Sequence, residues 1–237
     1  MATRGLVVTR AIREGIARGE YGPGSRMNES DLAAQLGVSR TPVRGALSVL
    51  AVEGLLEYTP NSGYTVRSFS SEDIRNVYAV RANLEGLVAR QAAINGLTDA
   101  ARGTIHRVLE ETAALVSTHT WDDAVRKEWE DLNHVFHEVI RDAARNSYLV
   151  QMIRRTDEIP FFGLIRFQWY DAEFMRGAHE EHIEIADAIF NRQSDRAEAL
   201  ETEHLYRSGR RLLRQWQIIE ERKQQVTASD SSLRRTG

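Results

Sequence analysis

Apolar residues between Glu29 and Val66 recur first at helical spacing and then as short runs, which predicts helix, tight turn, helix and hairpin. Leu32, Ala33 and Leu36 form the apolar side of the first helix, Gly37 breaks it, and Val38 plugs the turn. Ser39 or Thr41 is placed to cap the second helix. Pro42 fits its first turn, where the N–H that proline lacks would have no partner. Val43, Ala46, Leu47 and Leu50 form the buried stripe of that helix. Arg40, Thr41, Arg44, Gly45 and Ser48 fall on its other side, with two cations one turn apart and no acid among them. Gly54 ends it. Leu55 to Thr59 and Tyr64 to Arg67 read as two strands around the turn Pro60-Asn61-Ser62-Gly63. Such a unit suits insertion of its second helix into a DNA major groove, or simply a helical hairpin whose charged face is solvated.

Helical periodicity covers most of what remains. Leu6 to Arg18 forms a first helix with Leu6, Ala11, Ile12 and Ile16 on its apolar side, closed by Gly22-Pro23-Gly24. The glycines at 19, 22 and 24 do not follow a strand, so they do not make a nucleotide loop. Ser68 to Ser71 is a polar joint. Beyond it the pattern predicts helices from Ser70 to Ile94, Thr98 to Val116, Thr120 or Trp121 to Asn146, Ser147 toward Pro160, Ala172 to Phe190, and Asp195 to Arg222. Pro160 should end or kink the fourth of these. The expected fold is therefore mainly α: an N-terminal winged helix-turn-helix over residues 1–68, then a C-terminal antiparallel all-α bundle of about six helices over residues 69–222. Residues 223–237 are rich in Ser, Thr, Gln and charge and are expected to be a disordered tail.

Composition sharpens the division. The 237-residue chain carries a net charge of −3. Residues 1–68 hold eight Arg, no Lys and six acidic residues, so the first segment is basic and the remainder acidic. There is no Cys, which excludes disulfides and thiolate metal sites. No signal-like or membrane-spanning apolar run occurs, and a cytoplasmic protein with no membrane partner is expected.

The run from Pro23 to Leu56 followed by Ser62 to Val66, and above all Ser-Arg-Thr-Pro-Val-Arg at 39–44, resembles the winged helix-turn-helix of the GntR family of bacterial transcription regulators. The resemblance implies base and phosphate contacts from Arg40 and Arg44 on an operator duplex, with Ser39 and Thr41 near the backbone and the wing tip at Gly63 near the minor groove. Ser30, Gly45, Ser48 and Val49 depart from the family's usual residues, and the changes at 30, 48 and 49 remove positive charge, which leaves more of the contact to the two arginines. The segments Arg81 to Ala93, Asn133 to Leu149 and Glu181 to Leu205 resemble the FCD effector-binding domain of the family's FadR branch, closest in helix number to its VanR-like subgroup.

All seven His lie beyond residue 105. Asn133 and His137 are one turn apart on one helix face. His182 and His204 are equally distant from the break at Asn191 to Ser194, so an antiparallel hairpin brings their imidazoles to one level. Three imidazoles and an amide oxygen make a plausible site for a divalent metal ion, Zn or Ni before others. The family resemblance implies the same four positions, usually with Asp in place of Asn133. The alternative is that these are ordinary hydrogen-bonded histidines. His134 and His179 face elsewhere, and His106 and His119 read as surface residues. Arg81 and Glu85 are one turn apart, either as an i,i+4 ion pair or with Arg81 pointing into the bundle and gripping the carboxylate of a small organic acid effector. Phe161, Phe162, Phe167, Trp169 and Tyr170 form an aromatic group, read as core or as a pocket or dimer face; Leu212, Leu213 and Trp216 read as packing.

The expected function is thus a ligand-responsive, homodimeric regulator of a palindromic operator, with repression as the default, and not an enzyme. The rivals are a metal-dependent helical-bundle enzyme and an architectural DNA-binding protein without effector. Glu201-x-x-His204 is half of a di-iron motif, and Asp131-x-x-His134 is a poor second half.

Overall fold

A computed structural model describes residues 4–68, 70–117, 122–157 and 171–233. The chain divides into two compact units, separating at Ser70 and Ser71.

The first unit contains α1 (Arg4–Ala17), β1 (Arg26–Met27), α2 (Glu29–Leu36), α3 (Arg40–Val52), β2 (Leu56–Thr59) and β3 (Gly63–Val66). Its core joins Val8, Ile12 and Ile16 of α1 to Leu32 and Ala33 of α2 and to Val43, Ala46, Leu47 and Leu50 of α3. Each buried Leu or Ile contributes on the order of 2 kcal/mol, so this stripe holds α3 with its opposite face in solvent. Leu6 is 62% exposed, so the buried face of α1 is set by Val8 rather than by Leu6. Asn28 caps α2, accepting from the Ser30 amide at 2.8 Å, and Gly37 closes it at φ 64°. Ser39 occupies the N-cap position of α3 but its hydroxyl makes no capping bond. The hairpin pairs Leu56 with Val66 and Thr59 with Gly63. A third strand missed by periodicity, β1, pairs with β3 to give the order β1-β3-β2. At two residues it is too short to show alternation.

The second unit contains, among the described residues, six helices: α4 (Ser71–Asn95), α5 (Asp99–Val116), α6 (Asp123–Ala143), α7 (Ser147–Asp157), α8 (Ala172–Phe190) and α9 (Ser194–Leu233). Thr98, Asp122 and Asp171 cap α5, α6 and α8 through their side chains. α9 runs to Leu233, past the end expected near Arg222; its last turns contain no Gly or Pro to stop it. Two positions require glycine for close approach of α4 and α9. A Cβ on Gly86 would lie 2.2 Å from Thr202 Oγ1, and one on Gly209 would lie 2.6 Å from the Tyr78 ring. Arg90 reaches Glu198 and Asp195 near the other end of the pair, so the two helices run antiparallel. α8 and α9 are also antiparallel, with His204 bonded to Glu181 and Arg196 to Asp187. Leu212 and Trp216 are buried. No described helix is long and apolar enough to cross a membrane. His119, Pro160 and the aromatic group from Phe161 to Tyr170 lie outside the described residues.

Candidate functional site

Two clusters of side chains stand out, one in each unit. In the first unit, Arg40, Thr41 and Arg44 are exposed on α3, opposite its buried stripe, and Gly63 (φ 83°) lies at the hairpin turn. The acid that periodicity placed nowhere near this face comes from α2. Glu29 accepts from Arg44 Nη2 at 2.8 Å, from Arg44 Nε at 2.9 Å and from Arg40 Nη2 at 3.1 Å. The hydrogen bond from Arg44, helped by the one from Arg40, pulls the Glu29 carboxyl down to about 2 against the opposing effect of burial. The carboxylate is therefore charged at any ordinary pH, and it fixes the spacing of two otherwise flexible guanidinium groups.

In the second unit, His137 of α6, His182 of α8 and His204 of α9 converge. One ligand nitrogen from each lies within 4.8 Å of the others. Ring centroids are 4.8 Å apart for His182 and His204 and 5.1 Å apart for His137 and His182. Phe136 stacks on His182 at 4.2 Å and orients that ring. The equal distances of His182 and His204 from the α8–α9 break place them at one level. Asn133 is half-buried one turn before His137 on α6.

The donor chemistry suits a cation. His182 Nε2 is buried and makes no hydrogen bond. His204 Nδ1 bonds Glu181 Oε2 at 2.6 Å, and His137 Nδ1 lies 3.3 Å from Glu201 Oε1. A carboxylate against Nδ1 holds the proton there and leaves Nε2 as a lone pair, the arrangement common behind metal-binding imidazoles. Burial, then the nearby His204, hold the His137 imidazole down to about 3, and the same two effects push His182 well below its usual value. Both are neutral, as ligands must be.

Around the triad lies a set of buried charges. Arg81 is not an exposed i,i+4 partner. Its side chain is 13% exposed and stands 3.7 Å from Glu85, which is itself buried. Arg141, on α6, also grips Glu85, with Nε at 3.2 Å from Oε2 and a second, closer contact through Nη2. Nothing in the local pattern marked Arg141, since it lies 56 residues from its partner. Spacing marks Glu201 only as half of the motif Glu201-x-x-His204. It is buried, and burial raises its carboxyl to about 7. Asp131 and His134 are exposed, so this candidate second half of a di-iron motif does not enter the bundle. His179 is buried with Nδ1 unbonded, and His106 is exposed with its ring 5.0 Å from that of Phe190.

Residues 5–66 match the bacterial regulatory proteins of the gntR family, and residues 76–207 match the FCD domain. The chain belongs to the GntR family. The Nta operon transcriptional regulator of Aminobacter aminovorans is 31% identical over 186 residues, covering 78% of this chain and 83% of that protein. The HTH-type transcriptional repressor GlaR of Escherichia coli is 27% identical over 204 residues, covering 83% and 90%. YdhC of Bacillus subtilis, an uncharacterized HTH-type regulator, is 30% identical over 151 residues, covering 64% of this chain and 65% of that protein. Among solved structures, E. coli McbR/YncC shares the fold with a TM-score of 0.68 at 21% identity, covering 91% of this chain and all of that one. This GntR-family protein is thus a DNA-binding transcriptional regulator with an FCD domain, not an enzyme.

Proposed function

We propose that this regulator is a homodimer that reads a palindromic operator and represses transcription until a small organic acid occupies the FCD bundle. In this reading Arg40 and Arg44 contact bases and phosphates, Ser39 and Thr41 the backbone, and Gly63 the minor groove. The solvent-facing placement of these α3 residues supports it, as do the repressors among the relatives. The uncapped Ser39 hydroxyl is a donor left over for a phosphate.

His137, His182 and His204 hold a divalent metal ion, Zn or Ni, with Asn133 as the oxygen donor. The observation that carries this is the buried, unbonded Nε2 of His182 among three converging imidazoles. Bound there, the ion supplies a positive centre for an effector carboxylate, and Arg81 takes that carboxylate's other oxygen. The effector alters DNA affinity only so far as it binds the two states of the protein unequally.

Footprinting the operator with the Arg44→Ala variant tests the reader: protection should vanish while the fold, followed by circular dichroism, is kept. Unchanged protection removes α3 from the interface. Thermal shift with a panel of small carboxylates, in the presence of Zn2+, tests the effector; no shift with any acid favours an architectural protein.

A further inference from the structure

Imidazole nitrogens and the amide of Asn133 bring no negative charge to a divalent ion that they ligate. The carboxylates near the triad differ in how far they are already answered. Glu85 is held by Arg141 and faces Arg81. Glu181 bonds His204 and also meets Arg207 at 3.1 Å and Arg211 at 3.7 Å. Glu201 is different: its Oε1 lies 3.3 Å from His137 Nδ1, and the fields of His204, Arg141 and Arg81 do not offset the cost of its burial. It is 2% exposed, and its Oε2 makes no hydrogen bond. A buried carboxyl with an idle oxygen is costly unless a cation answers it.

On the reading that the triad binds metal, we propose that Glu201 is the charge-bearing positioning residue of that site. Through Oε1 it keeps the proton of His137 on Nδ1, so that Nε2 faces the ion. Its negative charge, carried on the α9 turn before His204, supplies what the amide at 133 does not. The metal then draws its neutralising charge from behind an imidazole rather than from the oxygen ligand.

The test is Zn2+ titration of the full chain in competition with a chelating indicator, alongside visible absorption of the Co2+-loaded protein. Glu201→Gln keeps the shape of the side chain and removes the charge. It should bind Zn2+ about 10–100-fold more weakly than the wild type, the usual effect of losing such a partner, and shift the Co2+ bands. Metal-free circular dichroism should be unchanged. Adding Asn133→Asp to Glu201→Gln returns a carboxylate to the site and should restore most of the affinity. Glu201→Met, of similar volume, carries the same comparison if the Gln variant does not fold. Wild-type affinity and Co2+ bands in Glu201→Gln overturn the proposal, as does failure of Asn133→Asp to restore binding. In both cases the wild type still binds. A wild type that takes up neither ion overturns the metal reading itself, and this proposal with it.

Discussion

Glu29 changes the meaning of the recognition face at the scale of single residues. Arg40 and Arg44 are not two free cations but two arms of one carboxylate. Glu29→Gln should raise the net charge of this patch, tighten non-specific DNA binding and steepen its salt dependence by about one unit of slope, at a loss of discrimination. Binding to operator and random duplexes across a salt series measures both. The pair also contributes to stability, with a definite sign. Its folded value of about 2 lies below the usual 4.5, so the contribution is full above about 4.5 and disappears as pH falls through about 2. The exposed arginines limit it to about 1 kcal/mol. Arg141 belongs to the opposite class. It is 5% exposed, and its removal leaves the buried Glu85 to the longer Arg81 contact. Arg141→Met should cost about 3–5 kcal/mol in denaturant unfolding, and Arg141→Met with Glu85→Leu should recover much of it.

The α4–α9 pair sets the site at the scale of elements. Gly86 lets α9 approach until Thr202 Oγ1 bonds the Ala82 carbonyl at 3.3 Å. That contact holds the turn bearing Glu201 and His204 beside the turn bearing Arg81 and Glu85. Gly86→Val forces the helices apart, since the clash includes the Glu198 carbonyl as well as a movable hydroxyl. A loss of about 1–3 kcal/mol is expected, with weaker Zn2+ uptake than any surface variant, read by thermal unfolding and metal titration. The helical hairpin of α8 and α9 was legible from spacing because its two histidines are placed symmetrically about a break. The α4–α9 approach was not, because the short sequence around a glycine does not say which distant backbone comes near.

The FCD unit leaves an apolar stripe in solvent at the scale of the whole molecule. Val80, Leu87 and Ile94 of α4 are 53%, 37% and 58% exposed and recur every seventh residue. A stripe of that spacing on a helix already packed along its other side suits a second copy, and it supports the proposed dimer. Val80→Glu with Leu87→Glu should give monomers in sedimentation and weaken operator binding; persistent dimers place the interface elsewhere. What the sequence determined by itself is local. The α3 stripe, the hairpin, the helix start at Thr98, and the level meeting of His182 and His204 follow from period, turn chemistry and symmetry about a break. What tertiary structure decided is which charges meet. Glu29 reaches Arg44 across 15 positions, Glu85 reaches Arg141 across 56, and Glu201 finds His137 on another helix. Charged side chains carry no periodicity that names their partners. Those partners are chosen by the distances and the low polarity that packed helices impose.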